Sequence, residues 1–273
     1  MLCFPNAKIN IGLNVIEKRQ DNFHNIETVF YPIPLSDILE IIKNEKHGSN
    51  KSELMITGKD IPGSKESNLC TKAYDLLDKY FDLSPVKIYL HKIIPMGAGL
   101  GGGSSDGAYT LCLLNQLFEL NLATAQLADY AAQLGSDCSF FIENKPSLGT
   151  EKGSELEKLP LNLSDTYLVL VKPPVFVGTA KAYAGIVPHK PNNHVKQLVS
   201  LPPSEWKDKI VNDFEKSVFD KHSEIKTIKD TLYKQGAVYA SMTGSGSAVY
   251  GIFEQEVNLK NSFEGMFYWG GNL

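Results

Sequence analysis

A chain of 273 residues with a formal net charge of −4 is long enough to bury one large apolar core or two modest ones. Its composition, 42% hydrophobic and 21% charged, is that of a globular protein, and its acidic balance argues against nucleic acid or an anionic membrane as the main partner. We expect a cytoplasmic protein with reduced thiols. No apolar run reaches the ~18 residues of a membrane span, the amino terminus lacks a secretion signal, and the four cysteines are scattered.

Hydrophobic periodicity predicts mixed elements without regular βα alternation, which favours an α+β fold. In chain order the first half predicts strands over 3–16 and 26–42, the latter interrupted at Pro32 and Pro34, a polar loop over 43–52, a helix over 67–80 capped by Ser67 or Asn68, a strand over 86–94, and helices over 105–119 and 124–134. The second half predicts a strand over 166–171, a surface loop over 188–203, helices over 204–219 and 222–235, and strands over 237–242 and 248–253. A polar stretch near 145–165 indicates two lobes, residues 1–150 and 151–273.

The most informative segment is the glycine loop, Pro95–Ser105, which has five glycines within seven residues and ends in two serines. Glycine permits positive φ and a close ligand approach, and successive backbone N–H groups in such a loop bind anions. The first N–H groups of the helix that follows would point towards the same anion. The pattern predicts a phosphate site and disfavours the alternative, a flexible glycine linker.

Other glycine motifs fit this loop poorly. A P-loop requires Lys-Ser/Thr after its last glycine, whereas Ser104 follows Gly103. The spacing Gly97-x-Gly99-x-x-Gly102 satisfies the dinucleotide fingerprint, but no acidic residue closes a second strand about 20 residues later. The His-Arg-Asp and Asp-Phe-Gly motifs of protein kinases are absent. The sequence therefore predicts a loop that holds phosphate with main-chain amides and serine hydroxyls.

Three further segments place polar residues among apolar ones. Lys8 and Asn10 alternate with isoleucines, so both face one side of a strand, and an ordinary exposed face is an equal alternative. Asp137 stands between a helix-ending glycine and Phe140, where an aspartate usually caps the next helix. Residues 243–247, Thr-Gly-Ser-Gly-Ser, join two apolar strands and in isolation predict a hairpin turn.

Taken together with the glycine loop, these segments resemble the superfamily of small-molecule kinases named GHMP after galactokinase, homoserine kinase, mevalonate kinase and phosphomevalonate kinase. The matching motifs are Ala7-Lys-Ile-Asn10, Asp21-x-Phe-His24, Pro95-Met-Gly-x-Gly-Leu-Gly-Gly-Gly-Ser-Ser105, Gly135-Ser-Asp137 with Phe140-Phe141, Asn212-Asp-Phe-Glu215 and Thr243-Gly-Ser-Gly246. They occur in family order across nearly the whole chain. The resemblance implies a two-lobed α+β fold, with an S5-like amino-terminal lobe, a ferredoxin-like carboxy-terminal lobe, and ATP and acceptor in the cleft between them.

The same resemblance implies phosphoryl transfer from ATP to the 2-hydroxyl of a cytidine-diphospho sugar alcohol, in the non-mevalonate route to isoprenoid precursors. Asp137 would accept the hydroxyl proton, and Lys8 beside it would keep that carboxylate ionised and polarise the hydroxyl. ATP would be held by Pro95, Met96, Gly97, Ala98, Gly99, Leu100, Gly101, Gly102, Gly103, Ser104 and Ser105. The acceptor would be held by Asn10, Phe23, His24, Lys92, Thr179 and Tyr183.

Within that acceptor set, the resemblance gives His24 the cytosine edge, the rings of Phe23 and Tyr183 the two faces of the base, and Lys92 and Thr179 its diphosphate. The alternatives are a solvated turn residue for His24 and purely structural roles for Tyr183 and Lys92. The chain has Phe23 where family members commonly carry tyrosine, and Cys138 and Ser139 where they carry a small aliphatic residue and proline.

Mg²⁺ would accompany ATP, ligated by hydroxyl, phosphate and water oxygens, because no carboxylate in the motifs stands out as its ligand. The partner is then a small molecule, without nucleic acid or membrane, and we expect a monomer or a weak homodimer. Three other functions stay open. They are another GHMP kinase with a different acceptor, a catalytically silent ligand-binding member, and a nucleotide-dependent oxidoreductase, which the missing fingerprint acid disfavours.

Overall fold

The computed structural model describes residues 1–44, 51–61 and 63–273. The strands are β1 (Leu2–Cys3), β2 (Asn6–Lys18), β3 (His24–Ser36), β4 (Ile38–Lys43), β5 (Ser52–Gly58), β6 (Val86–Lys92), β7 (Ser147–Thr150), β8 (Glu155–Lys158), β9 (Tyr167–Lys172), β10 (Tyr239–Met242), β11 (Val249–Phe253) and β12 (Phe267–Asn272). The α-helices are α1 (Leu69–Phe81), α2 (Gly102–Leu117), α3 (Thr124–Leu134), α4 (Cys138–Glu143), α5 (Thr179–Tyr183), α6 (Val195–Leu198), α7 (Phe214–Lys221) and α8 (Ser223–Lys234). The mixture confirms the predicted α+β class.

Two compact units are built from discontinuous stretches of the chain. The first contains Met1–Ala7, Leu35–Met96 and Gly101–Asn144, and the second contains Lys8–Pro34, Gly97–Leu100 and Lys145–Leu273. These units differ from the contiguous lobes 1–150 and 151–273, because most of β2 and β3 and the middle of the glycine loop belong to the second unit. The contiguous division stays a prediction.

In the first unit, α1 and α2 pack against a four-stranded sheet of order β1-β4-β6-β5, and α3 and α4 pack against these two helices. Its core includes Leu39, Leu77, Ile88 and Leu111, all fully buried. Helix α1 begins where its cap was predicted, since the Asn68 side chain accepts a hydrogen bond from Cys70 N at 2.9 Å. The predictions of α1 and α3 from periodicity and caps are confirmed.

The second unit contains two four-stranded sheets, of orders β2-β3-β7-β8 and β10-β11-β9-β12. Helix α8 packs on β10 and β11 through Ile225, Ile228 and Leu232, which recur on one face of the helix and are buried. The core that they join extends to Val171 and Val249 of the central strands.

The predicted interruption of the second strand at Pro32 and Pro34 is wrong, because β3 continues to Ser36. Strand β7 pairs with β3 only between Thr28 and Phe30, and both prolines lie beyond this pairing. Neither proline therefore needs a backbone N–H to donate to β7. Strands β5, β7, β8 and β12 were not predicted. Of the predicted polar loop over 43–52, residues 45–50 lie outside the described residues.

The predicted helix over 204–219 is wrong in its first half, since α7 begins only at Phe214. Asp208 has φ +64, a left-handed conformation through which a right-handed helix cannot continue. The indole of Trp206 is buried and donates to Leu201 O at 2.8 Å, so tertiary packing overrides the helical spacing. The predicted surface loop over 188–203 contains the short helix α6.

All four cysteines are free thiols, as predicted. Burial raises the pKa of Cys112 and of Cys138 to about 11, so both stay protonated and unreactive near neutral pH. Across the described parts of the chain, none of the helices combines the length and hydropathy that a membrane crossing requires.

Candidate active site

The glycine loop alternates left-handed and ordinary backbone conformations. Gly97, Gly99 and Gly101 have φ of +58°, +75° and +69°, values that glycine adopts without steric cost. Between them, Ala98 and Leu100 are buried and anchor the loop. Such an alternation turns successive N–H groups to one side and makes an anion-binding concavity.

Helix α2 begins directly at the end of this loop. Its N-cap is Gly101 and no side chain caps it, and its first turn closes with a hydrogen bond from Ser105 N to Gly101 O at 2.8 Å. The helix thus starts earlier than the predicted residue 105. At Gly103, no described atom beyond its chain neighbours and the backbone of its own helix lies within 4 Å of the position that a Cβ would occupy. The uncapped, open helix end is suited to bind a phosphate.

Lys8 and Asn10 are only 3% and 2% exposed, so the alternative of an exposed strand face is wrong. Lys8 Nζ donates to Asn10 Oδ1 at 2.6 Å and to Gly99 O at 3.1 Å. Thr243 Oγ1 donates to the same Gly99 carbonyl at 3.0 Å and accepts from Asn10 N at 3.0 Å. Strand β2, the glycine loop and the Thr-Gly-Ser-Gly turn therefore meet at one carbonyl oxygen, which fixes the buried ammonium group in place.

Supporting contacts hold this network on both sides. Asn10 Nδ2 donates to Thr28 Oγ1 at 3.0 Å. Asn212 Nδ2 donates to Met242 O and Gly244 O, both at 2.8 Å, and so holds the residues on either side of Thr243. Sequence reasoning missed Thr28 and quoted Asn212 only as part of a motif. Both act through contacts with residues distant in sequence, which no local pattern indicates.

Asp137 occupies the N-cap position of α4, but its side chain makes no capping hydrogen bond. The alternative of a simple cap is therefore not supported. The chain around it is well held, since Cys138 N donates to Gly135 O at 3.1 Å and Ser139 Oγ donates to Ala128 O at 3.1 Å. The Ser139 hydroxyl thus ties α4 to α3.

The predicted acceptor residues His24 and Tyr183 lie together, with stacked rings 4.7 Å apart. Tyr183 also contacts the edge of the buried Phe214 ring at 4.8 Å. Phe23 is 58% exposed, and Lys152 Nζ lies 4.9 Å from the centre of its ring. Burial, helped by the nearby Lys18 charge, lowers the pKa of His24, so its imidazole is neutral at pH 7.

The remaining two acceptor residues lie in different surroundings. Thr179 is exposed, with Oγ1 3.2 Å from Ser245 Oγ of the Thr-Gly-Ser-Gly turn. Lys92 is 1% exposed, and its ammonium group is bonded to the carboxylates of Asp37 and Asp106. This burial speaks against the predicted contact of Lys92 with an acceptor diphosphate, which would have to displace two carboxylates.

Within residues 1–44, 51–61 and 63–273, no cluster of three His, Cys, Asp or Glu side chains could hold a metal ion. The groups available to a cation near the glycine loop are oxygen donors, including Ser105 Oγ, which is buried and has no hydrogen-bond partner in the part of the chain that the structure describes. Hard oxygen donors are those that Mg²⁺ accepts, together with phosphate and water.

Comparison with known proteins gives the class first. Residues 68–144 match the GHMP kinases N terminal domain, and residues 197–266 match the GHMP kinases C terminal domain. The chain belongs to the GHMP kinase family, as its motifs predicted.

More particular similarity is to 4-diphosphocytidyl-2-C-methyl-D-erythritol kinase. The protein of that name from Bacteroides thetaiotaomicron is 51% identical over all of this chain and 97% of its own length. The one from Cytophaga hutchinsonii is 51% identical over 93% of this chain and 92% of its own length. A crystal structure of 4-(cytidine 5'-diphospho)-2C-methyl-D-erythritol kinase has a TM-score of 0.76 and 28% identity, covering 92% of this chain and 90% of that one. The structure of the Methanococcus jannaschii mevalonate kinase shares the fold, with a TM-score of 0.67 and 15% identity. It covers 99% of this chain and 97% of its own.

Proposed function

We propose that this chain is an ATP-dependent kinase that phosphorylates the 2-hydroxyl of 4-diphosphocytidyl-2-C-methyl-D-erythritol, in the non-mevalonate route to isoprenoid precursors. The observation that carries the proposal is the buried Lys8 ammonium group, bonded to Asn10 and to the Gly99 carbonyl of the glycine loop. A lysine fixed on a phosphate-binding loop is placed for phosphoryl transfer, in which positioning and charge stabilisation dominate. The names of relatives 51% identical over most of their length support the acceptor.

ATP would bind through the residues 95–105. Its phosphate oxygens would accept hydrogen bonds from the loop amides, from the uncapped N–H groups of α2, and from the Ser104 and Ser105 hydroxyls. Mg²⁺ would enter with ATP, held by phosphate, hydroxyl and water oxygens, and would neutralise charge on the transferring group.

At the acceptor hydroxyl, Asp137 would take the proton and Lys8 would polarise the oxygen. The Gly135-Ser-Asp137 motif, which matches the family pattern, supports the role of base. Asn10, already bonded to Lys8 Nζ and to Thr28, would orient the acceptor. The joint action of Lys8 and Asp137 on one hydroxyl stays a prediction from the family resemblance.

The cytosine base would bind at His24, Tyr183 and Phe23. A neutral imidazole has one donor and one acceptor nitrogen, which complements the amino group and ring nitrogen of cytosine. Since the His24 and Tyr183 rings stack on each other, a base that stacks on Tyr183 would take the place of the imidazole, which would then meet the edge of the base. Thr179 would contact the diphosphate from the start of α5.

An assay of ADP release with a panel of acceptors tests this function. We expect turnover with 4-diphosphocytidyl-2-C-methyl-D-erythritol and none above background with mevalonate, homoserine or galactose. Free cytidine diphosphate should compete with the acceptor and not with ATP. Turnover with another member of the panel, without inhibition by cytidine diphosphate, would leave the kinase class intact and reject the acceptor. A chain that binds ATP but phosphorylates nothing would favour the catalytically silent alternative.

The ring residues should control acceptor affinity. Tyr183→Ala and Phe23→Ala should each raise the acceptor KM roughly 5- to 100-fold, because stacking on a base is worth ~1–3 kcal/mol. His24→Ala should cost a similar factor and relax discrimination between cytosine and uracil. Steady-state kinetics with the acceptor varied at saturating ATP measures the effect.

Tyr268→Ala is the matched control, since its ring stacks on Phe263 within the apolar core of the second unit. It should lower stability without changing either KM. If the three acceptor variants instead raise the KM for ATP, the assignment of these rings to cytosine is wrong.

A further inference from the structure

A buried ion network joins the two ends of the glycine loop. At the entrance, Asp37 Oδ1 accepts hydrogen bonds from Ile93 N at 2.5 Å and Ile94 N at 2.8 Å, directly before the loop begins. At the exit, Asp106 Oδ2, directly after the first turn of α2, accepts from Lys92 Nζ at 2.6 Å. The same Lys92 ammonium group is bonded to Asp37 Oδ2, so three side chains connect the entrance to the exit.

Burial makes this network sensitive to each of its members. The Lys92 and Asp37 side chains are 0% exposed and Asp106 is 3% exposed. Two carboxyl groups share one ammonium group, and burial raises the pKa of Asp106 to about 8. Asp106 Oδ1 has no hydrogen-bond partner among the described residues, so Lys92 supplies the bond that compensates for burying this carboxyl. Removing one partner of such a network leaves a buried group unsatisfied.

The ion network packs closely against the last glycines of the loop. A Cβ on Gly102 would lie 2.8 Å from Ile94 Cγ2 and 3.4 Å from Lys92 Nζ. The first residue of α2 therefore rests against both the loop entrance and the ammonium group. A displacement of Lys92 would be transmitted to the N-terminus of α2.

We propose that Lys92, Asp37 and Asp106 form a loop clamp, which holds both ends of the glycine loop in the geometry that receives the ATP phosphates. The inference rests on the proposed function and changes one of its assignments: Lys92 is a positioning residue for the nucleotide and not a contact of the acceptor diphosphate. The clamp acts through the backbone at residues 93–94 and through Asp106, directly after the first turn of α2.

The test separates the two substrates. In the double variant Lys92→Met/Asp106→Asn, the ammonium group and the carboxyl group that it bonds are removed together, and Asp37 keeps its two backbone hydrogen bonds. We expect the ATP dissociation constant, measured by calorimetry, to rise roughly 10- to 100-fold, because the displaced loop amides would make weaker hydrogen bonds to the phosphates. The acceptor KM should change less than about twofold. Hydrogen exchange of the 93–106 segment should accelerate relative to the rest of the first unit.

Asp106→Leu keeps the Lys92–Asp37 pair and removes only the exit contact, and Asp106→Asn restores an acceptor for Lys92 Nζ. We expect the leucine variant to lose ATP affinity and the asparagine variant to recover most of it. Lys51→Met is the matched control, since Lys51 forms an exposed pair with Asp78 and Asp82 in the same unit. It should leave both constants unchanged.

A raised acceptor KM with unchanged ATP affinity would overturn the proposal and return Lys92 to the acceptor diphosphate. Unchanged ATP affinity and unchanged exchange in folded variants would also overturn it. If the unsubstituted chain binds no ATP, the proposed function itself fails, which is a separate outcome from failure of the clamp.

Discussion

Asp137→Asn will lower kcat by ~10²–10⁴-fold while ATP affinity stays near that of the unsubstituted chain. Asparagine has the size of aspartate but cannot accept the hydroxyl proton. Because asparagine has nearly the same shape as aspartate, the fold of the first unit should be retained. The rate of ADP release at saturating substrates gives kcat, and calorimetry gives the ATP dissociation constant.

Lys8→Met should lower kcat by a similar factor, since methionine fills the buried space but provides neither charge nor a donor to Asn10 and Gly99. Asp129→Asn, on the exposed face of α3, serves as the matched control and should retain full turnover. If Asp137→Asn or Lys8→Met keeps most of its turnover, the assigned roles are wrong.

The second large effect is expected from alanine substitutions in the glycine loop, where two positions should respond in opposite ways. A Cβ on Gly99, whose φ is +75°, would lie 2.0 Å from Thr243 O. Gly99→Ala should therefore lower the free energy of unfolding by about 2–5 kcal/mol, from left-handed strain and overpacking together. It should also lower kcat, because Gly99 O holds Lys8 Nζ and Thr243 Oγ1. Urea unfolding and ADP release measure the two effects.

Gly265→Ala is the control for left-handed strain without overpacking. Gly265 has φ +74°, close to that of Gly99, but no described atom crowds its Cβ position as Thr243 O does at Gly99. In this control the free energy of unfolding should fall by only about 1–2 kcal/mol, and activity should be kept. If the free energy of unfolding fell equally in Gly99→Ala and Gly265→Ala, the close approach of Gly99 to Thr243 would not contribute to the loss of stability.

Gly103→Ala should have the opposite effect, since the Cβ position at Gly103 is open and alanine favours a helix. Stability should stay constant or rise by about 0.5–1 kcal/mol. ATP affinity should fall, because the methyl group would occupy the space of a phosphate that approaches this backbone. Unchanged ATP affinity would return the segment to the interpretation as a flexible linker.

Elements with strong local signals could be predicted from the sequence. Helix α1 has an Asn68 cap and helical apolar spacing, and α3 ends before Gly135, so both were found. The region before α7 could not, because left-handed Asp208 and buried Trp206 are set by tertiary packing that outweighs the helical pattern. Strands β5 and β12 escaped for a related reason, since their pairing partners β6 and β9 lie far away in sequence. Strands β7 and β8 pair with each other across a short turn, but each has only four residues, too few for a clear alternation.

The candidate site divides in the same way. Lys8, Asn10 and the glycine loop stand in compact motifs, and a resemblance built on several such motifs identified the family. The role of Lys92 depends on Asp37, which lies 55 residues away and carries no motif. The burial of Lys92 between two carboxylates becomes visible only in the folded structure. There the end of β6, helix α2 and the residue before β4 lie next to one another.

The most direct test of the central claim is phosphorus NMR of the reaction product. With ATP and 4-diphosphocytidyl-2-C-methyl-D-erythritol, we expect ADP and one new phosphomonoester in equal amounts. Carbon 2 of the acceptor carries a methyl group and no hydrogen, so a phosphate on the 2-hydroxyl shows no three-bond coupling to hydrogen. A phosphate at a neighbouring hydroxyl would show that coupling. An uncoupled phosphomonoester is the predicted result, and a coupled one, or ADP formed with inorganic phosphate alone, would contradict the proposed function.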